Sequence, residues 1–169
     1  DVIAVGERVT DFNVGDRVAC GTELGGYAEE RNIRADRLVP LPAAISYETA
    51  AAMMLQGMTV RYLFRETYDV RPGTVMLFHA AAGGVGIIAC QWAKALGLQL
   101  IGTAGGAAKC ALALESGAAH VIDYTREDFV ELGVRYDVIL DTAGNRTLSA
   151  LRRALAPSGT LVIVGGEGG

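Results

Sequence analysis

From residue 75 onward the chain alternates between two apolar rhythms. Short, nearly uninterrupted apolar runs predict strands: residues 75–78 (VMLF), 99–103, 120–123, 137–140 (DVIL) and 161–164 (LVIV). Between them, helical spacing takes over. Ile88, Trp92 and Leu96 recur at i, i+4, i+8 on one face, and Gly97 stands where a C-cap glycine belongs. Residues 107–116 read as a helix ending at Gly117, residues 125–128 as the cap of a short helix, and residues 147–155 as a further helix. Residues 157–159 (PSG) read as a turn. Strands with no polar alternation are covered on both faces, so this half predicts an α/β fold: a doubly wound parallel sheet of the Rossmann type.

The first part has a different texture. Residues 14–20 (VGDRVAC) and 25–33 (GGYAEERNI) read as short β segments among turns, closed by Pro40-Leu41-Pro42. Ser46 is placed to N-cap a helix through the alanine-rich run 50–55, which Gln56-Gly57-Met58 interrupts before a second helical stretch to about residue 67. The predicted division is therefore residues 1–45, a β-rich segment, and residues 46–169, the α/β domain.

Composition narrows the class. Of 169 residues, 51% are hydrophobic and 20% charged, a globular balance. A net charge of −4 with both signs interspersed offers no basic block for nucleic acid and no basic amphipathic helix for an anionic membrane. The apolar run at residues 75–90 is shorter than the ~20 residues of a spanning helix and carries a glycine cluster in its middle. Residues 1–6 lack the basic start and apolar core of a signal peptide. Cys20, Cys90 and Cys110 are odd in number and far apart, which argues for a reducing, cytoplasmic setting. With only two histidines, each next to a strand, the donors are too scattered for a zinc site.

The chemistry concentrates in HAAAGGVG, residues 79–86, where the first strand of the sheet meets its helix. A helix N-terminus presents free N–H groups and partial positive charge, so a diphosphate can rest there if no Cβ keeps it away. In the G-x-G-x-x-G register, Ala81 takes the first glycine's place, Gly83 admits the phosphates, and Gly86 lets the helix pack on the strand. The alternative is a tight turn of small residues without a ligand. After the second strand comes AGGAAK, residues 104–109, with no acid to hold ribose hydroxyls or repel a 2′-phosphate. That favours NADPH, but a single lysine leaves NAD and NADPH both open.

Three stretches carry a resemblance. HAAAGGVGIIACQWAKALG (79–97), MLQGMTVRYLFRETYDVRPG (54–73) and VGERVTDFNVGDRVA (5–19) resemble the zinc-free quinone oxidoreductases of the medium-chain dehydrogenase/reductase superfamily, the group that includes zeta-crystallin. The resemblance implies NADPH-dependent hydride transfer to quinones or related electrophilic carbonyl and enone compounds. It implies that residues 1–45 are a remnant of a GroES-like β-barrel catalytic domain, and that the α/β domain stops short of the family's last strand and helix. Gly83, Gly84 and Val85 would line the pyrophosphate. Gly105, Lys109 and Tyr124 would hold the 2′-phosphate, and Thr59 would lie near the nicotinamide. A homodimer, paired through the sheet edge, is also implied. Residues 136–169 resemble more distant reductases of the superfamily.

No nucleophile, triad or carboxylate pair stands out, as suits a reaction whose chemistry the cofactor carries. Gly144, Asn145, Gly165 and Gly166 follow the fourth and fifth strands, where ligands of open α/β sheets bind, so they are candidate nicotinamide neighbours beside a plain reading as turn residues. Asp141 and Asp123 read as capping or turn residues, His79 as a packed strand-end residue and Cys90 as a small hydrophobe. Two functions stay open: an NADPH-dependent quinone reductase, or a module that binds the nucleotide without turnover. A methyltransferase-like domain fits less well, because its ribose-binding acid is missing.

Overall fold

The computed structural model describes residues 1–21 and 24–165. The chain divides into two compact units, Asp1–Met58 and Thr59–Gly169.

In the first unit a two-residue antiparallel pair joins β1 (Val18–Ala19) to β2 (Val39–Pro40). Arg17 ties it to the following segment. Its guanidinium donates to the carbonyls of Pro42 (3.1 Å) and Ile45 (2.8 Å) and lies 4.4 Å from the Tyr47 ring centre. The strand expected over residues 25–33 is absent: these residues form bends and irregular backbone. A strand needs a neighbour to pair with, and Tyr27, its large apolar residue, is fully exposed. Ser46 caps α1 (Tyr47–Tyr62) as expected, accepting from the Thr49 N–H at 3.1 Å. Gly57 does not interrupt the helix. The ~1 kcal/mol cost of a mid-helix glycine is absorbed by a strong alanine-rich context, and a π turn, Leu63–Thr67, ends the run.

The second unit holds a five-stranded, all-parallel sheet: β3 (Val75–Phe78), β4 (Gln99–Ala104), β5 (His120–Asp123), β6 (Tyr136–Asp141) and β7 (Leu155–Ile163), in the order β5-β4-β3-β6-β7. Three helices join them: α2 (Gly84–Leu96), α3 (Ala107–Glu115) and α4 (Leu148–Ala154). The strand order reverses direction at β3, the doubly wound arrangement expected from the apolar runs.

Alternate residues of each strand feed two cores. Met76, Phe78, Leu100, Val138 and Leu140 face one side with α2 and α3, while Leu77, Ile122 and Ile139 face the other with Leu151 and Ala154 of α4. On α2 the buried stripe is not the expected one. Gly86, Ala89, Cys90 and Ala93 are buried, and Trp92 lies at the margin, stacked on Phe64. Small side chains let the helix approach the sheet closely, so the large residues are displaced to the flanks.

Two further expectations change. Residues 125–128 form a turn, not a capped helix. Asp123 Oδ1 accepts from the Gly106 N–H (3.0 Å), the Thr125 N–H (3.1 Å) and the Thr125 hydroxyl (2.7 Å), an arrangement that competes with helix formation. The crossover from β5 to β6 thus has no helix, and Phe129 plugs the core in its stead at 1% exposure. Residues 157–159 are also not the turn before the last strand. They form a bulge inside β7, which starts at Leu155, with Ser158 at φ 65°.

Candidate functional site

The described residues with buried polar side chains are His79, Thr103 and Asp141, at 2–4% exposure. They sit at the carboxyl ends of β4 and β6 and immediately after β3. Burying polar groups is costly unless they are bonded, and here each side chain has a partner, although His79 Nε2 is left without one. His79 Nδ1 lies 3.0 Å from Thr103 Oγ1, and the Thr142 hydroxyl donates to the His79 carbonyl at 2.7 Å. Asp141 Oδ1 accepts from the N–H groups of Ala143 (3.1 Å) and Gly144 (2.9 Å). The network fixes the loops at the very end of the sheet where doubly wound folds bind ligands. Burial holds the His79 ring below its ordinary pKa, and the Arg146 charge acts in the same direction against Asp141.

The glycine-rich turn follows directly. Ala80 adopts φ 56°, an uncommon conformation for a residue with a side chain. The Ala81 N–H then donates to the Thr103 carbonyl and the Gly83 N–H to the Ala80 carbonyl, both at 2.9 Å. The first bond within α2 runs from the Ile87 N–H to the Gly83 carbonyl, so the amides of Gly84, Val85 and Gly86 form the first turn, whose donors have no partner within a helix. A Cβ on Gly86 would stand 2.5 Å from the Ala81 carbonyl oxygen, so this glycine is needed for the helix to begin where it does.

Ala81 explains its own departure from the glycine pattern. Its methyl is fully buried, and a Cβ on Gly102 of β4 would stand 2.5 Å from it. The bulk missing at Gly102 makes room for the bulk added at Ala81. Sequence reasoning missed this pairing, although a glycine in the middle of a strand is the signal for such a close approach.

The other expected residues distribute as follows. Gly105 opens the β4–α3 link and Tyr124 follows β5. The two are in contact, since a Cβ on Gly105 would meet Tyr124 Oη at 2.5 Å. Lys109 is exposed in the first turn of α3. Gly144 adopts φ 65° beside Asp141, and Gly165 adopts φ 72° after β7. Thr59 is half-buried on α1, one turn before the core residues Leu63 and Phe64. Gly166 lies outside the described residues.

A cavity of about 330 Å³ opens at these strand ends. His79, Ala80 and Thr103 line it together with Tyr124, Phe129, Asn145 and Arg146. Arg146 was not anticipated, because nothing in sequence spacing marks a loop arginine. Among the described residues no group of three or more His, Cys, Asp or Glu side chains could hold a metal ion, and no helix is long and apolar enough to cross a membrane.

Comparison with known proteins agrees with this geometry. Residues 84–169 match the zinc-binding dehydrogenase family. The chain is 48% identical to the quinone oxidoreductase of Pseudomonas aeruginosa, with all of this chain and 54% of the relative aligned, and 39% identical to a 2-haloacrylate reductase of a Burkholderia species over 98% and 52%. The crystal structure of Escherichia coli quinone oxidoreductase complexed with NADPH superposes with a TM-score of 0.90 at 47% identity, covering 99% of this chain and 53% of that one. The chain spans about half the length of these relatives. Sheet order, glycine turn and family match lead to one assignment: the chain belongs to the zinc-binding dehydrogenase family of the medium-chain dehydrogenase/reductase superfamily, on the side of its quinone oxidoreductases.

Proposed function

We propose that this chain binds NADPH and serves a reductase that passes hydride to quinones or related electron-poor carbonyl and enone compounds. The observation that carries the reading is the α2 N-terminus, free of side-chain caps, opening beside the strand-end cavity. Gly83, Gly84 and Val85 would hold the pyrophosphate through backbone N–H groups. Gly105, Lys109 and Tyr124 would receive the 2′-phosphate, with a cation and a hydroxyl and no carboxylate following β4 to repel it. Thr59, Gly144 and Gly165 would flank the nicotinamide end, and Ala81 supports the turn from below through Gly102. Residues 1–45 would belong to a barrel-type domain and residues 46–169 to the coenzyme domain.

When bound, the coenzyme supplies the hydride. The chain's own residues orient it and exclude water. No protein acid is needed for an electron-poor acceptor, since solvent can protonate the product.

The test is a fluorescence titration of the purified chain with NADPH and NADH, followed by absorbance at the reduced-nicotinamide band after adding a simple quinone. NADPH is expected to bind at least about tenfold more tightly than NADH, the equivalent of one 1.4 kcal/mol contact. Binding without oxidation selects a nucleotide-binding module that does not turn over. Absence of NADPH binding overturns the reading.

A further inference from the structure

Sequence order places no acid after β4, but the fold brings one to that corner from β5. Asp123 ends β5 and pairs in register with Ala104, the last residue of β4. Its Oδ1 accepts from the Gly106 N–H at 3.0 Å and from the amide and hydroxyl of Thr125 at 3.1 and 2.7 Å. Gly106 caps the start of α3 at φ 85° and ψ 158°, a backbone region open almost only to glycine. A diglycine has little conformational preference of its own, so the bond from Asp123 supplies one. The neighbouring residue grips the other glycine. A Cβ on Gly105 would stand 2.5 Å from Tyr124 Oη, and the Tyr124 N–H donates to the Ala104 carbonyl at 3.1 Å. Gly105 and Gly106 are thus held by two consecutive residues at the end of β5.

The carboxylate is committed to these donors. The Thr125 hydroxyl, then the Gly106 and Thr125 amides, hold its pKa below the usual carboxylate value. Its charge still reaches α3, where burial first, then Asp123 and Glu127, push the Cys110 thiol up. The first bond within α3 runs from the Cys110 N–H to the Gly106 carbonyl, so the amides of Ala107, Ala108 and Lys109 form a first turn with no partner within the helix. Two effects compete at this corner. Repulsion between a carboxylate and a phosphate across solvent is worth about threefold in affinity and falls with salt. A loop already in place spares the ordering cost of the groups it presents, which is worth more when several donors share it. We propose that Asp123 is a positioning residue that sets the preference for NADPH over NADH, by locking the Gly105–Gly106 backbone in the shape that receives the 2′-phosphate. This rests on the reading that the chain binds NADPH. Asp123 acts through the loop and not on the coenzyme.

The experiment is isothermal titration calorimetry of the full chain with NADPH and NADH at physiological salt, so the readout is a ratio of affinities and not turnover. Asp123→Asn keeps an acceptor oxygen at the same place without the charge, and is expected to retain the NADPH preference within about threefold. Asp123→Glu keeps the charge but moves the acceptor, and Asp123→Ala removes both. These two are expected to lose about tenfold on NADPH, the worth of one contact, and to stay within about twofold on NADH. Far-UV circular dichroism and a thermal melt check each fold, and the asparagine and glutamate variants carry the test if Asp123→Ala does not fold. Equal losses on NADPH and NADH, unchanged affinities in the glutamate and alanine variants, tighter NADPH binding by the alanine variant, or an asparagine variant as weak as alanine each overturn the proposal while leaving NADPH binding intact. A wild-type chain that binds the two coenzymes equally overturns the proposal as well, and one that binds neither overturns both readings.

Discussion

The pairing of Ala81 with Gly102 can be tested as a coupled unit. Adding a methyl at Gly102 puts its Cβ 2.5 Å from that of Ala81, where carbon atoms need about 3.5–4.0 Å. One of the two backbones must then move by about 1 Å. Both are anchored: β4 is hydrogen-bonded on two sides, and the Ala81 N–H is bonded to Thr103. Overpacking of this kind costs about 1–3 kcal/mol. For a domain of this size that lowers the melting temperature by roughly 3–15 °C. Ala81→Gly alone loses one buried methyl, about 0.8 kcal/mol, plus the entropic cost of glycine, about 0.5–1 kcal/mol. The double variant moves the methyl from one side of the contact to the other and removes the clash. It is therefore expected to be at least about 1 kcal/mol more stable than the two single losses added together, well beyond the ~0.5 kcal/mol scatter of independent sites. Urea denaturation of the four proteins at one pH measures the cycle. Losses that simply add within that scatter would refute the claim that Gly102 makes room for Ala81.

Three further outcomes follow from the same structure. Gly105→Ala should push the exposed Tyr124 ring aside, weakening NADPH binding about tenfold if the 2′-phosphate rests there, with NADH affinity and urea stability unchanged. His79 has a folded pKa below its ordinary 6.5, so the unfolded chain takes up a proton that the folded chain refuses. Stability is therefore expected to fall as pH drops through 6.5, with a slope of at most about 1.4 kcal/mol per pH unit, the limit for one proton, and His79→Gln should remove that component from urea curves recorded between pH 7.5 and 5.5. Tyr136 is fully buried with a hydroxyl that has no hydrogen-bond partner, and burial pushes its pKa up to about 12. Tyr136→Phe should therefore leave stability unchanged or raise it by about 1 kcal/mol in the same assay.

The apolar runs of β3, β4 and β6 revealed the sheet because both of its faces are covered and admit buried polar residues only at the strand ends, at Thr103 and Asp141. The glycine turn was equally legible, since strand and helix flank it in the required order. What sequence reasoning missed depends on contacts between distant segments. The most deeply buried stripe of α2 could not be read from side-chain size, because Gly86, Ala89, Cys90 and Ala93 face the sheet while Ile88 and Leu96 pack half-buried at the edge of that core and Trp92 lies at its margin. The Asp123 turn defeated the helix expected over residues 125–128 by using three hydrogen bonds, one from Gly106, seventeen residues away. The bulge in β7 looks like a turn locally and becomes a strand only when β6 pairs with it. Arg146 takes its place in the cavity wall from contacts with Phe129 and Asp128, seventeen and eighteen residues earlier, and no spacing rule connects them.

Phe129 stands where a crossover helix would otherwise lie, so one aromatic ring closes the interior on that flank and also seats a wall of the cavity. Filling the cavity and sealing the layer beneath are therefore a single mechanical event. A molecule that presses on Arg146 presses on the plug, and the stretch between β5 and β6 will resist proteases and solvent exchange in proportion to how well the cavity is occupied.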